Sequence, residues 1–287
     1  MRLLPTETLA ELERLRLVVR RLPGRQGGEG AGGRAGGFGL DFHEYTPYSP
    51  GDDVRRVDWR RWQRSGDLLI RSDLDRSGHA VRLVVDRSGS MALGTPSKLD
   101  YACRLAAAVA FAALQAGHPV GVAAFAGADG AVLPARAGIH WLATILGFLE
   151  GLQAGGPTDL QAGLHAAVSG RLGEGRIVFI SDLLDPSGAE AGLDLLAGPR
   201  RAVDVVEVTA QDEGELPAGA TIDALDAETG RVRTFTVTAE VVDAWRQGFE
   251  KTRADVRTGC AQRGLNHLQV RSDDSPVQAV RALSSSH

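Results

Sequence analysis

The stretch AVRLVVDRSGSMALG, from Ala80 to Gly94, places a short apolar run directly before a row of oxygen-bearing side chains. The run is rich in Val and Leu, which predicts a buried β-strand. Asp86, Ser88 and Ser90 then occupy alternate positions of the loop that follows. Carboxylate and hydroxyl oxygens, without sulfur or imidazole, are typical ligands of a hard divalent cation. The end of this strand therefore predicts a cation site.

Strands and helices alternate along the chain beyond this stretch. Further apolar strands are predicted at PVGVAAFAG (Pro119–Gly127), RIVFISD (Arg176–Asp182) and AVDVVEVT (Ala202–Thr209), with helical patterns between them. This alternation is typical of an α/β domain with a mainly parallel central sheet and helices on both faces. Ligands of such sheets bind beyond the carboxyl ends of the strands. Asp86 and Asp182 are both predicted at such ends.

Two further oxygens are predicted at the same edge of the sheet: Thr158 in GGPTDL and Asp182 in FISDLLD. Simpler explanations exist for each side chain. Thr158 could cap the helix that starts at Asp159, Ser88 and Ser90 could hydrogen-bond to loop backbone, and Asp182 could cap the following turn. The order Asp-x-Ser-x-Ser, Thr, Asp on successive loops favours the cation site over these separate explanations.

Length, composition and charge indicate which classes of protein the chain can belong to. Its 287 residues suffice for one large domain or two small ones, and 43% apolar with 24% charged residues is ordinary for a globular protein. A net charge of -4 gives no reason to expect nucleic acid. Cys103 and Cys260 lie far apart without metal-ligand spacing, which favours a reducing, cytoplasmic setting. The apolar stretch Leu105–Gly117 is too short to span a membrane, which needs about 20 residues.

The chain is predicted to divide into three parts. Residues 1–40 contain a helix, Thr6–Leu22, and a Gly-rich linker. Residues 41–79 contain a charged segment and a candidate edge strand, LLIRSDL. Residues 80–287 form the α/β domain, which ends with a short hairpin turning at Thr229–Gly230, a charged helix, a last strand and a last short helix.

The charged segment PGDDVRRVDWRRWQR combines acids, arginines and tryptophans. In one interpretation the acids and arginines pair and a tryptophan packs into the sheet edge. In the other the segment is a docking face for a partner, since Trp and Arg are enriched at binding hot spots. The candidate partner-binding residues are Asp52, Asp53, Arg55, Arg56, Asp58, Trp59 and Arg60.

The motifs VVDRSGSM, GGPTDL and FISDLLD resemble the metal-ion-dependent adhesion site of von Willebrand factor A-type domains. YTPYSPGDDVRRVDWRRWQRSGDLLIRSDL, KLDYACRLAAAVAFAALQAGHPVGVAAF and DAETGRV are similar to the bacterial domain of unknown function 58 family, from about Leu40 to Leu283. The resemblance implies a Rossmann-like von Willebrand A-type fold. It also implies a divalent cation, with Mg²⁺ favoured over Mn²⁺ or Ca²⁺, held by Asp86, Ser88, Ser90, Thr158 and Asp182.

The resemblance further implies a function in protein interaction. In such sites the serines and the threonine bind the ion directly, some carboxylates act through water, and a partner's acidic side chain completes the coordination. The implied partner is a MoxR-type AAA+ ATPase or its client, in chaperone-like maturation or assembly of other proteins. Two departures weaken the inference of partner and location: Thr46 stands where the family often has arginine, and a Gly-rich run replaces a basic, serine-containing segment.

Two alternative functions remain open at the level of sequence. A metal-dependent hydrolase would use the same ion, but the sequence contains no Gly-x-x-x-x-Gly-Lys, no His-Glu-x-x-His and no second carboxylate cluster. His165 is the candidate base for such an enzyme. A scaffold with a vacant site would show no change in thermal stability with Mg²⁺, whereas a bound ion stabilises by mass action.

Overall fold

The structure is a computed structural model that describes residues 3–12, 44–47, 62, 69–72, 80–168, 175–185, 188–198, 201–211, 213–226 and 230–285. The chain forms two compact units, one of residues Met1–Leu22 with His79–His287 and one of Pro23–Gly78. In the smaller unit, strands β1 (Glu44–Pro47) and β2 (Leu69–Ser72) pair antiparallel, and β2 lies within the predicted strand LLIRSDL. No pattern in the sequence predicts a strand at β1.

The larger unit contains the remaining helices and strands. These are α1 (Thr6–Leu12), β3 (Val81–Asp86), α2 (Lys98–Gln115), β4 (Val120–Ala126), β5 (Asp129–Arg136), α3 (Trp141–Glu150), α4 (Leu160–Val168), β6 (Gly175–Ser181), α5 (Ala189–Leu196), β7 (Arg201–Thr209), β8 (Thr221–Leu225), β9 (Val232–Thr236), α6 (Ala239–Gln262), β10 (Asn266–Arg271) and α7 (Pro276–Ser285). A short 3₁₀ helix, Gly89–Ala92, follows β3. Beyond Leu12 the predicted N-terminal helix lies outside the described residues.

The central sheet has six strands in the order β10-β7-β6-β3-β4-β5. Neighbouring strands run parallel, except that β5 runs antiparallel to β4. The predicted α/β class with a mainly parallel sheet is therefore confirmed. The sequence analysis predicts no strand at β5. Its side chains are mostly exposed and it contains Pro134, so the apolar signal of a buried strand is missing.

Side chains that alternate along β3 point to opposite faces of the sheet and enter separate cores. Val81, Leu83 and Val85 belong to a first core cluster, which includes buried residues of α1, α2, α3 and α7. Val84 belongs to a second core cluster, built with buried residues of α4, α5 and α6. Helix α2 is almost entirely buried and rich in alanine, so small side chains let it pack closely on the sheet.

The order of strands reverses between β3 and its neighbour β6. Helix α2, which follows β3, packs in the first core cluster, whereas α5, which follows β6, packs in the second. The loops after these adjacent strands therefore leave toward opposite faces. The carboxyl edge between β3 and β6 is therefore a topological switch point, which is the usual position of a ligand in an open α/β sheet.

The predicted C-terminal hairpin is formed by β8 and β9, with Leu225 opposite Val232. Both of these side chains are exposed, so the hairpin tip presents apolar surface to solvent. Residues 227–229 of the turn lie outside the described residues, and Gly230 after them adopts a left-handed conformation, with φ of 67°. The two cysteines, Cys103 and Cys260, are buried and unbonded to each other.

Candidate metal centre

The predicted metal-binding residues lie on loops at the carboxyl edge of the sheet, beside the switch point between β3 and β6. Asp86 ends β3, and Asp182 directly follows β6. The backbone joins the first of these loops to the segment before α4 through paired hydrogen bonds. The N–H of Gly155 donates to the Arg87 carbonyl at 2.9 Å, and the N–H of Gly89 donates to the Gly156 carbonyl at 3.0 Å. The structure thus holds the loops of Asp86 and Thr158 together through main-chain contacts.

Asp86 is fully buried, and its carboxylate is oriented by hydrogen bonds to both oxygens. Oδ1 accepts the backbone N–H of Ser88 at 2.8 Å, and Oδ2 accepts the Ser181 hydroxyl at 2.7 Å. Burial and the nearby charge of Asp182 raise the pKa of Asp86 to about 6, although the hydrogen bonds from Ser181 and Ser88 oppose the rise. The site therefore holds more negative charge than its surroundings stabilise, a condition that a bound cation would relieve.

The hydroxyl groups of the site contact few protein donors or acceptors. Ser88 Oγ and Ser90 Oγ lie 3.2 Å apart, and Ser88 makes no side-chain cap to the 3₁₀ helix that follows it. Thr158 Oγ1 is buried and has no hydrogen-bond partner within the part of the chain that the structure describes. Leaving a buried hydroxyl unpaired costs about 1–3 kcal/mol. An oxygen held this way is a free ligand for a cation.

The capping alternative for Thr158 is wrong. Asp159 caps α4 instead, since its Oδ1 accepts the N–H of Ala162 at 2.8 Å. The turn alternative for Asp182 holds in part, because its Oδ1 accepts the N–H of Leu184 at 3.2 Å. Leu183 between them has a left-handed backbone, with φ of 55°, which is uncommon for a residue other than glycine. The chain therefore turns sharply just after the candidate ligand.

Asp182 also contacts a residue that the sequence analysis does not include in the site. Lys98, the first residue of α2, is fully buried, and its Nζ donates to Asp182 Oδ2 at 2.7 Å. The same ammonium group pairs with Glu213, beyond the end of β7. A capping box at Ser97 predicts the start of α2, and the Ser97 hydroxyl accepts the N–H of Asp100 at 3.0 Å. Nothing in the local sequence distinguishes Lys98 from an exposed lysine, which is the common case.

Asp185, the last acid of FISDLLD, has a structural role. Its Oδ2 accepts the N–H of Leu160 at 3.2 Å, and its Oδ1 accepts the N–H of Gly188 at 2.8 Å. These bonds connect the loop after β6 to the first residue of α4, two positions after Thr158. Asp185 therefore helps to fix the position of Thr158 relative to Asp182.

The donor set fits a hard divalent cation. It combines hydroxyl and carboxylate oxygens and contains neither sulfur nor imidazole. Among the described residues, no group of three or more His, Cys, Asp or Glu side chains is placed to hold a metal ion. The candidate site depends on hydroxyl oxygens instead, with Thr158 Oγ1 as its orphaned member.

The other predicted functional residues are the partner-binding set and the candidate base of a hydrolase. The partner-binding set Asp52, Asp53, Arg55, Arg56, Asp58, Trp59 and Arg60 lies outside the described residues. Trp62, close to this set in sequence, is described and is 43% exposed. His165, the candidate base of a hydrolase, is exposed on α4.

The family of the chain follows from comparison with known proteins. The family model described as Protein of unknown function DUF58 matches residues 44–259, which include every candidate ligand. The chain belongs to the DUF58 family. Uncharacterized proteins of Mycobacterium bovis and Mycobacterium tuberculosis are each 32% identical to it over 242 residues, or 83% of this chain and 76% of theirs.

Solved structures similar to this DUF58 chain include the conserved hypothetical protein BatB from Bacteroides thetaiotaomicron. It is 19% identical, with a TM-score of 0.44, over 72% of this chain and 96% of that one. The SpRpn10 VWA domain is 10% identical, with a TM-score of 0.39, over 71% and 93%. Within the described residues, no helix combines the length and apolar character needed to cross a membrane.

Proposed function

We propose that this DUF58 chain is a metal-dependent protein-interaction module. Its metal site consists of Asp86, Ser88, Ser90, Thr158 and Asp182, and its ion is Mg²⁺, or Mn²⁺ or Ca²⁺ in its place. The observation that carries the proposal is the buried Thr158 Oγ1, which has no hydrogen-bond partner among the described residues and lies on a loop whose backbone is hydrogen-bonded to the Asp86 loop. An unpaired buried hydroxyl and a buried carboxylate with a raised pKa are both costly, and a cation bound by the two loops would offset both costs.

The same donor set supports binding of a partner over catalysis. Ser88, Ser90 and Thr158 would contribute neutral oxygens, and the carboxylate of Asp182 is already paired with Lys98. An ion held this way stays under-neutralised, and when bound it offers its remaining coordination position to an additional carboxylate. A protein partner that presents a Glu or Asp side chain meets this requirement.

The proposed partner is a MoxR-type AAA+ ATPase or a client of such an ATPase. The resemblance of the chain to its family supports this partner class, and the chain would then act in chaperone-like maturation or assembly of other proteins. This partner class is inferred by analogy with the family. We propose that the chain acts in the cytoplasm.

Thermal melts with Mg²⁺, Mn²⁺ or Ca²⁺ against EDTA test the metal site. An ion at 100 times its dissociation constant stabilises the folded state by about 2.7 kcal/mol. We expect a rise in melting temperature for the wild type that Asp86→Ala and Ser88→Ala both lose. Thr238→Ala is the matched control: it removes the hydroxyl that caps α6, so it should lower stability in both conditions and keep the response to the ion.

Three outcomes would overturn parts of the proposal. A flat response of the wild type to every ion would indicate a vacant scaffold. A response that Asp86→Ala retains would place the ion elsewhere on the chain. Hydrolysis of a generic phosphoester that Asp86→Ala abolishes would favour the metal-dependent hydrolase.

A further inference from the structure

Lys98 is a charged side chain in a fully buried position at the edge of the metal site. Its Nζ lies 2.7 Å from Asp182 Oδ2 and also pairs with Glu213. Lysine is almost never fully buried unless its charge is paired, because taking an ammonium group out of water is costly. The two carboxylates are therefore what keeps this lysine inside the protein.

Both ends of this ion-pair network are held in place by the backbone. Lys98 begins α2, and its own N–H donates to the Leu93 carbonyl at 2.9 Å. Glu213 Oε2 accepts the N–H of Ala210 at 2.9 Å, which fixes this carboxylate beyond the end of β7. Since both groups are anchored, the ammonium cannot leave Asp182 without losing contacts in a region that excludes water.

We infer that Lys98 is an internal counter-cation that lowers the affinity of the metal site for divalent ions by competing for Asp182. The inference rests on the proposed function, since it concerns the same metal site. An ammonium group within hydrogen-bond distance of a candidate ligand repels an incoming cation and occupies one of the ligand's oxygens. Glu213 acts in the opposite direction, because it shares the charge of Lys98 and leaves less of it opposing the ion.

Lys98 would also stabilise the folded site before an ion binds. Asp86 and Asp182 carry like charges at the carboxyl ends of the paired strands β3 and β6. The ammonium group balances Asp182, so the loops can assemble before a cation arrives. Lys98 would thus lower the affinity of the site for metal, and it would also let the site form before the metal binds.

Calorimetric titration with Mg²⁺ alone tests the inference on the wild type, Lys98→Met and Glu213→Gln. Methionine keeps the length of the side chain and removes its charge, so Lys98→Met should bind Mg²⁺ about tenfold more tightly. Glu213→Gln leaves Lys98 with Asp182 as its charged partner and should bind Mg²⁺ about threefold more weakly. Lys251→Met is the control, because it removes a lysine charge from the exposed surface of α6 and should leave the affinity within about twofold.

The outcomes separate this inference from the proposed function. Wild type that binds Mg²⁺ with Lys98→Met unchanged or weaker would overturn the role of Lys98 and leave the metal site standing. Failure of every form to bind any divalent ion would overturn both. If circular dichroism shows that Lys98→Met does not fold, Lys98→Gln decides: tighter binding than the wild type supports the inference, and unchanged or weaker binding overturns it.

Discussion

Two buried clusters of the central sheet, that of Arg176 and Asp204 and that of Asp86 and Asp182, differ in how their charge is balanced. Near the amino ends of β6 and β10, the Arg176 Nε donates to Asp204 Oδ2 at 2.6 Å, and Asn266 Nδ2 donates to Asp204 Oδ1 at 2.7 Å. The guanidinium of Arg176 also donates to the Leu283 carbonyl of α7 at 2.6 Å. At the carboxyl edge, Asp86 faces the like charge of Asp182, and Thr158 Oγ1 has no partner among the described residues.

The difference separates a structural cluster from a site prepared for a ligand. At the amino end the carboxylate of Asp204 pairs with a guanidinium, and the network ties α7 to the sheet, whereas the hydrogen-bond donors to Asp86 are uncharged. Buried polar groups are normally satisfied in this way, and exceptions concentrate at functional sites. The unmatched charge and hydroxyl at the carboxyl edge are therefore what a ligand would complete. Each of the following predictions tests this contrast.

The largest effect is expected from breaking the amino-end cluster. Arg176→Met removes the guanidinium that pairs with the buried carboxylate of Asp204, which should cost about 3–5 kcal/mol of unfolding free energy. Urea denaturation measures the loss. The Mg²⁺-dependent gain in stability should persist in any fraction that folds. A loss below about 1 kcal/mol would show that this cluster is not the structural one.

A smaller loss is expected where α4 meets β4. A Cβ added at Gly163 would lie 2.0 Å from Cδ2 of the buried Phe125 ring, so Gly163→Ala should cost about 2 kcal/mol by overpacking. Displacement of α4 should also weaken Mg²⁺ binding, because Thr158 precedes this helix. Gly147→Ala in α3 is the control, since nothing lies within 4 Å of its added Cβ. A fully stable Gly163→Ala protein would contradict the close approach of α4.

Asp86→Asn should stabilise the protein in the absence of divalent ions. The pKa of Asp86 is about 6 in the folded state against 3.8 ordinarily, so between these values the folded state binds more protons than the unfolded state. Ionised Asp86 thus lowers stability as pH rises through this range, and the full cost applies above pH 6. We expect a gain of about 2 kcal/mol at pH 7.5 in EDTA that shrinks toward pH 4.

Urea denaturation of Asp86→Asn at pH 7.5 and pH 4.5 checks this prediction. Asp255→Asn is a control on the exposed surface and should change stability at pH 7.5 by less than about 0.5 kcal/mol. The same Asp86→Asn protein should lose its response to Mg²⁺. A variant less stable than the wild type at pH 7.5 in EDTA would show that the Asp86 carboxylate is structural.

The smallest effect on folding is expected at Thr158. Thr158→Val keeps the shape of the side chain and removes a buried hydroxyl that has no partner among the described residues, so stability in EDTA should rise by about 1 kcal/mol, the lower end of the cost of such a hydroxyl. Mg²⁺ affinity should fall about tenfold, because a ligand oxygen is lost. Calorimetry and urea denaturation together check both values. Lower stability in EDTA with unchanged Mg²⁺ affinity would give Thr158 a structural role alone.

Local patterns predicted most of the fold because each pattern reflects a local physical cause. The apolar run before Asp86 predicted β3, and the strands and helices that follow it predicted the parallel sheet. Strand β5 was missed because its exposed residues and Pro134 provide no apolar signal, and its pairing with β4 is what forms it. The metal-binding role of five residues stays a prediction, although their loops lie at the predicted edge of the sheet. These residues are Asp86, Ser88, Ser90, Thr158 and Asp182.

The sequence by itself determined the α/β class and which oxygen-bearing residues follow the strands, because apolar periodicity and the order of residues are local properties. Only the tertiary structure decided which of these oxygens are satisfied. It placed Asp182 and Glu213 beside Lys98, from which they are separated by 84 and 115 residues in the sequence. It also left Thr158 Oγ1 without a hydrogen-bond partner among the described residues. Charge balance in a buried site depends on such long-range neighbours, because a low-dielectric interior strengthens each ion pair and raises the free-energy cost of each unpaired polar group.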